Sequence, residues 1–172
     1  MSTSPHELGQ RLAAGETLDA ASLASLALDG DAFGTGTIGL VWGDFALDRV
    51  TAHLDCDARH HQPYGIVHGG VWCAVVESMA SVGAALHAMT TGQVVVGVSN
   101  ATDFLRAHRT GRVDAVAQPV HVGRTQQLWQ VVITRAADGK PVARGQVRLQ
   151  QLAADRDLAG RQAQPAPSDA PT

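Results

Sequence analysis

HQPYGIVHGG occupies residues 61–70 and runs straight into VWCAVVESMASVGAALHA at residues 71–88. Pro63 disfavours helical angles at the residue before it, so we expect an extended loop up to about His68. From Gly69 onward the run has no proline and consists mainly of Ala, Val, Met and Leu, which favour helix. The pattern therefore predicts one long helix over residues 69–88, and the rest of the chain is interpreted around it.

Glu77 is the only acidic residue in this apolar helix. A stripe suited to packing on a sheet is formed by Val71, Val75, Met79, Val82 and Leu86. Glu77 shares a second face with small residues, namely Gly70, Cys73, Ala74, Ala80, Ser81 and Ala84. A carboxylate on a buried helix is costly unless it is paired, hydrogen-bonded or used in chemistry. Two interpretations stay open: a structural glutamate held by an arginine or reaching solvent, and a nucleophile or general base in a cleft.

The Gly69-Gly70 pair leaves unobstructed N–H groups at the positive end of the predicted helix, which suits polarising a carbonyl or binding an anion. Gly69 and Glu77 are eight residues apart, or about 12 Å at about 1.5 Å per residue. One carbonyl therefore cannot easily lie close to both groups of the same helix. If both act on one substrate, the sequence predicts a site shared between two chains at a dimer interface.

Composition describes one ordinary globular domain of 172 residues with 45% hydrophobic residues. A net charge of −3 and 4% aromatic residues argue against a nucleic-acid surface. No basic start followed by an apolar run is visible, and no eighteen consecutive residues are apolar, so we expect a cytoplasmic protein without a membrane span. Two cysteines, Cys56 and Cys73, are too few for a disulfide framework.

Outside the central helix, alternating patterns and turn residues predict several strands that follow one another along the chain. Helices are predicted over residues 8–14 and 21–27, and strands over residues 37–42, 49–56, 94–105, 112–122, 125–135 and 142–150. Gly43-Asp44 is predicted to begin the connection between the first two strands, and residues 138–141 (DGKP) predict a hairpin turn. Sequential strands with one apolar helix indicate an α+β fold in which an antiparallel sheet wraps around that helix. We divide the chain into an N-terminal segment with a short helix (1–35), the main domain (36–151) and a disordered tail (152–172).

Over about residues 36–150 the sequence resembles the hotdog-fold acyl-CoA thioesterases, specifically the branch with a glutamate in the central helix. That branch includes 4-hydroxybenzoyl-CoA, 1,4-dihydroxy-2-naphthoyl-CoA and enterobactin-proofreading thioesterases. The resemblance rests on residues 61–70, on residues 77–81 (ESMAS), on residues 98–100 (VSN) and on residues 121–123 (HVG). It implies hydrolysis of an acyl-CoA, with an aromatic acyl group favoured, and no cofactor beyond the CoA of the substrate. It also implies homodimers with shared active sites that pair into a homotetramer.

The resemblance assigns roles to individual residues. Glu77 would attack the thioester carbonyl or activate water, and the Gly69 N–H would polarise the carbonyl oxygen. Gln62 would help to position the same group, and His68 would support the loop or the substrate.

Four further positions complete the implied site. Ser81 would orient the carboxylate or the water, and Gly70 would contact the substrate. Arg106 matches a family arginine near the CoA phosphates. Arg124 and Thr125 occupy a turn that touches the nucleotide, although the family commonly has a small polar residue at the position of Arg124.

Four rival interpretations remain open at this stage. A metal site is suggested by His53, Cys56, His60, His61 and His68, but their spacings match no recognised ligand pattern. A hotdog dehydratase or hydratase could use His68 with Glu77 to move a proton. A third rival is a non-catalytic acyl-CoA binder, although such a protein would have no need of a buried glutamate. A fourth is Cys73 as a nucleophile, but no positive neighbour on its helix would lower the pKa of the thiol.

Overall fold

The computed structural model describes residues 5–23, 32–158 and 161–162. Three α-helices are present in these ranges: α1 (Pro5–Ala13), α2 (Ala20–Leu23) and α3 (Gly69–Thr90). The strands are β1 (Val41–Ala46), β2 (Arg49–Cys56), β3 (Gln93–Phe104), β4 (Gly111–Val122), β5 (Gln126–Arg135), β6 (Pro141–Ala153), β7 (Asp157–Leu158) and β8 (Arg161–Gln162). A π-helical segment spans Ala32–Ile38, and a 3-10 turn spans Ala58–His60.

Six strands form one antiparallel sheet in the order β1-β2-β4-β5-β6-β3, and α3 packs against all six. β3 lies at one edge of this sheet and pairs along its length with β6, apart from a bulge between Gly97 and Ser99. The predicted α+β architecture, an antiparallel sheet around one long helix, is confirmed. It places the start of α3 beside the end of β3.

The buried face of α3 is rotated from the predicted stripe. Val75, Met79 and Leu86 are buried as expected, but Val71 and Val82 are only half-buried. The buried set also contains Trp72, Val76, Ala80, Gly83, Ala84 and Ala88. The small residues on this side of α3 leave room for bulky side chains of the sheet. At Gly83, for example, an added Cβ would lie 2.5 Å from the Trp129 ring.

By length and composition alone, α3 is long and apolar enough to cross a membrane. The core helix of a globular fold meets the same criterion. Its packing against the sheet accounts for the apolar residues that α3 carries.

The first strand lies later in the chain than predicted. Residues 32–38 form the π-helical segment, and Gly39 has φ +82°, which ends that segment before β1 begins. Gly43 and Asp44 lie inside β1 rather than in the connection to β2. A Cβ on Gly43 would lie 2.6 Å from Thr51 Oγ1, and the same oxygen accepts the Asp44 N–H at 2.8 Å. Gly43 therefore lets β1 approach β2 closely and does not form a turn.

The other predicted strands are confirmed to within a few residues, as is the hairpin turn, where Gly139 has φ +68°. The first predicted helix forms as α1, which packs on α3 through Gly9. The second forms over Ala20–Leu23, and residues 24–27 of that prediction lie outside the described residues. β6 continues to Ala153, and the short strands β7 and β8 pair with each other. Residues 159–160 and 163–172 lie outside the described ranges, so the division into segments and tail stays a prediction.

Candidate active site

The Glu77 carboxylate lies half-buried between α3 and the edge strand β3. Its Oε2 accepts a hydrogen bond from Asn100 Nδ2 at 2.9 Å, and its Oε1 accepts a longer one from Ser81 Oγ at 3.3 Å. Within the described residues no cationic side chain is within ion-pair distance of Glu77, so an arginine partner is not what holds it. Each carboxylate oxygen accepts one of these two hydrogen bonds and retains a lone pair for chemistry.

Asn100 received no role from the sequence, although it is the only asparagine in the chain. Its Nδ2 also donates to the Cys73 carbonyl at 3.0 Å, and its Oδ1 accepts from Thr102 Oγ1 at 2.7 Å. Residues two apart on a strand project to the same side, which brings Asn100 and Thr102 together. The two-residue spacing of Asn100 and Thr102 could have predicted that their side chains lie together. It could not have predicted that this strand lies against Glu77.

The start of α3 leaves one backbone donor available. His68 caps the helix, because its Nδ1 accepts the Gly70 N–H at 2.8 Å. The Val71 N–H donates to the His68 carbonyl at 2.9 Å. In the part of the chain that the structure describes, no acceptor takes the Gly69 N–H. Gly69 is therefore the donor that the positive end of α3 offers to a ligand.

The loop before α3 holds Gln62 by its own turn. The Gln62 N–H donates to the Ile66 carbonyl at 2.8 Å, and Gln62 Oε1 accepts the Tyr64 N–H at 2.5 Å. Gly65 has φ +71°, the conformation that this tight turn requires. Since the amide oxygen of Gln62 is occupied, its NH₂ group is the part left to donate to a substrate oxygen.

A cavity of about 290 Å³ opens beside the start of α3. Its lining is mainly apolar and consists of Gln62, Ile66, Val67, Gly69, Trp72, Phe104, Leu105, Arg106, Ala107 and His108. The Phe104 ring covers Gly69 closely, since a Cβ on that glycine would lie 2.5 Å from a ring carbon. The fold thus brings Gln62 and Gly69 into one cavity. Glu77 and Ser81 do not line it, in agreement with the separation expected along the helix axis.

The three predicted CoA-binding residues outside the helix lie at two ends of the sheet. Arg106 is at the cavity, where its Nη1 donates to the Pro141 carbonyl at 2.7 Å. Arg124 and Thr125 lie in the exposed turn between β4 and β5, and the Thr125 carbonyl accepts the Gln151 N–H at 2.8 Å. Residues 141 and 151 are separated by about 33 Å along β6, at about 3.3 Å per residue. One chain therefore does not bring Arg106 together with Arg124 and Thr125.

The histidines near the loop bind backbone groups. His60 is buried, accepts the Asp57 N–H through Nδ1 at 3.0 Å, and donates from Nε2 to the Ile38 carbonyl at 2.8 Å. His61 Nε2 donates to the Arg109 carbonyl at 2.7 Å. Among the described residues, no group of three His, Cys, Asp or Glu side chains is arranged to hold a metal ion. His68 and Glu77, nine residues apart on one helix, do not face each other within the chain.

Cys56 is not an activated nucleophile. Burial, with the nearby Asp55 and Asp57 charges, raises the pKa of the Cys56 thiol to about 12. Cys73 is half-buried on the same side of α3 as Glu77, and its carbonyl accepts the Asn100 amide.

Comparison with known proteins adds independent information to this geometry. A family model described as "Thioesterase superfamily" matches residues 64–142. A Mycobacterium tuberculosis protein named "Putative esterase Rv1847" is 48% identical over 119 residues, which are 68% of this chain and 84% of that protein. A Cronobacter sakazakii protein named "Proofreading thioesterase EntH" is 38% identical over 96 residues, covering 56% of this chain and 69% of that protein.

Solved structures share the same architecture. The structure of the Mycobacterium tuberculosis relative superposes with a TM-score of 0.68 at 46% identity, covering 70% of this chain and 96% of that one. A Haemophilus influenzae protein described as thioesterase HI1161 gives a TM-score of 0.69 at 30% identity, covering 76% of this chain and 90% of that one. The sheet and central helix are thus those of the hotdog fold.

Proposed function

Since this chain belongs to the thioesterase superfamily and is a thioester hydrolase, we propose that it hydrolyses acyl-CoA thioesters to a free acid and CoA. The observation that carries the proposal is the half-buried Glu77 carboxylate, which among the described residues is held by the neutral donors of Asn100 and Ser81. A carboxylate held in this way has lone pairs left to attack the thioester carbonyl or to accept the proton of a water molecule.

The remaining chemistry is assigned to the cavity at the start of α3. The Gly69 N–H and the Gln62 NH₂ group donate to the thioester oxygen as negative charge develops on it. His68 holds the helix start in place through its bond to the Gly70 N–H. A thiolate leaves readily, so no general acid is required for the departing CoA.

We propose that each active site combines the cavity of one chain with Glu77 of a second copy. Support comes from the eight-residue separation along α3 and from the composition of the cavity lining, which contains Gly69 but not Glu77. The edge strand β3 lies beside Glu77 and exposes Val98 at 56%, so this side of the chain offers both backbone groups and apolar surface for pairing. The family resemblance extends the assembly to a homotetramer.

An aromatic acyl group is the substrate class that we favour. Trp72 and Phe104 contribute rings to the cavity next to Gly69, and a flat acyl group can stack on such rings. Arg106 lies at the same cavity and can bind a CoA phosphate, while Arg124 and Thr125 would reach the nucleotide from the other end of a neighbouring chain.

The first test measures free-thiol release from benzoyl, 4-hydroxybenzoyl, dihydroxynaphthoyl, phenylacetyl and medium-chain aliphatic CoA thioesters. We expect Glu77→Gln to lower kcat at least about a hundredfold, equivalent to about 2.7 kcal/mol, with substrate binding retained. Glu16→Gln is the matched control, because it makes the same chemical change at an exposed ion pair with Arg11. Wild-type turnover in Glu77→Gln would remove Glu77 from the mechanism, and a preference for aliphatic substrates would contradict the aromatic class.

A mixing experiment tests the shared site. Glu77→Gln and Gln62→Ala are each expected to be inactive, whereas a mixture with exchanged subunits regains partial activity because some sites contain both wild-type residues. Absence of recovery, with exchange demonstrated by mass spectrometry, would indicate a site within one chain.

A further inference from the structure

We infer that Asn100 is a positioning residue that sets the orientation of the Glu77 carboxylate. This inference rests on the proposed function of Glu77. Asn100 lies on β3, whereas Glu77 and Ser81 lie on α3, so the amide is the contact from the sheet that fixes the carboxylate.

All the hydrogen-bonding capacity of the Asn100 NH₂ group is directed at the helix. Its two hydrogens meet Glu77 Oε2 at 2.9 Å and the Cys73 carbonyl at 3.0 Å. Both partners are acceptors, so the nitrogen and not the oxygen of the amide must face them. The Cys73 carbonyl is one helical turn before Glu77, and it holds the amide at a defined place beside the carboxylate.

Thr102 fixes the other side of the same amide. Its Oγ1 donates to Asn100 Oδ1 at 2.7 Å. Rotation of the amide by half a turn would set Nδ2 toward this hydroxyl and leave Oδ1 facing the Glu77 oxygen, which is repulsive. The two acceptors on the helix therefore set the orientation of the amide, and in that orientation the Thr102 hydroxyl donates to Oδ1.

Gly97 provides the space in which the carboxylate lies. A Cβ at this position would be 2.7 Å from Glu77 Oε1, closer than such atoms approach. Gly97 thus leaves room for Oε1, and the Asn100 amide of the same strand binds Oε2. Without the amide, the 3.3 Å hydrogen bond from Ser81 is what remains to hold the flexible Glu77 side chain among the described residues.

The test uses Asn100→Leu, which nearly keeps the size of the side chain and removes its three hydrogen bonds to Glu77, to the Cys73 carbonyl and to Thr102. We expect kcat to fall about tenfold to a hundredfold, because a misplacement of about 1 Å has an effect of this size, while KM stays nearly constant. Thr102→Val is expected to lower kcat about fivefold, as loss of one neutral hydrogen bond would. Thr102→Ser retains the hydroxyl and is expected to restore the wild-type rate. Gln126→Leu is the control, since it removes an exposed amide bonded to Gln150.

Two further measurements separate positioning from a structural role. In the Glu77→Gln background, Asn100→Leu should cause no additional loss, because the group that it orients is already absent. An experimental structure of Asn100→Leu should show Glu77 in a different rotamer or in several. A wild-type kcat in Asn100→Leu, an equal loss in both backgrounds, or an unchanged Glu77 rotamer would each overturn the inference. Turnover of Glu77→Gln is measured separately. A failure of the proposed function of Glu77 is therefore distinguished from a failure of the inference about Asn100.

Discussion

Gly69→Ala tests whether the crowded start of α3 is the place where the thioester oxygen binds. The added Cβ would lie 2.5, 2.6 and 3.2 Å from three carbons of the Phe104 ring. Ordinary contact begins at about 3.4 Å, so the ring must retreat by about 1 Å. Phe104 is 58% exposed, so it has room to move toward solvent.

The expected stability change is small because two effects oppose each other. Alanine is favoured over glycine in a helix by up to about 1 kcal/mol. Displacing the ring from its rotamer costs about 0.5–1.5 kcal/mol. The free energy of unfolding should therefore change by less than about 1 kcal/mol, and the variant should remain folded.

Activity should respond far more than stability. The methyl group and the displaced ring both change the cavity wall beside the Gly69 N–H, so we expect kcat/KM to fall about tenfold to a hundredfold. The double variant Gly69→Ala with Phe104→Ala removes the obstructing ring and should recover part of this loss relative to Gly69→Ala. The assay is thiol release with the best substrate of the panel, together with thermal denaturation of each variant.

Gly36→Ala is the control for this experiment, since an added Cβ at that position meets no atom within 4 Å. A wild-type kcat/KM in Gly69→Ala would show that no substrate atom approaches this helix start. A loss that Phe104→Ala fails to relieve would show that the Phe104 ring is not the cause.

Two other predictions concern the core and the cysteines. Gly83→Ala should lower the free energy of unfolding by about 1–3 kcal/mol, because its Cβ would lie 2.5 Å from the fully buried Trp129 ring. Denaturant unfolding measures this change. A stability equal to that of Gly36→Ala would contradict the packing of α3 on Trp129. At pH 8 iodoacetamide should modify Cys73 and spare Cys56, because a pKa raised to about 12 leaves roughly one Cys56 thiol in ten thousand as thiolate. Mass spectrometry of the native protein identifies the labelled residue, and early labelling of Cys56 would refute the assignment.

Much of the fold followed from local pattern. Pro63 and the glycine pair predicted the start of α3, and alternation predicted the strands from residue 49 onward, because these signals depend on neighbouring residues alone. The bounds predicted for the first strand, residues 37–42, were wrong, since β1 spans Val41–Ala46. Gly39 ends the π-helical segment, whereas Gly43 lies inside β1 and lets the strand approach Thr51 closely. The sequence could not separate these two cases, because a glycine is compatible with a turn and with a close approach of two strands.

Two features of the site follow from the order of residues alone: Glu77 is the one acidic residue of an apolar helix, and Gly69 is too far along that helix to share a carbonyl with it. Both conclusions follow from helical geometry and need no information about the sheet. The groups that hold the carboxylate, in contrast, depend on how the chain packs. Asn100 is 23 residues from Glu77 in the chain, and their contact depends on β3 lying at the sheet edge beside α3. Long-range contacts of this kind follow from how the whole sheet packs, which no local spacing encodes.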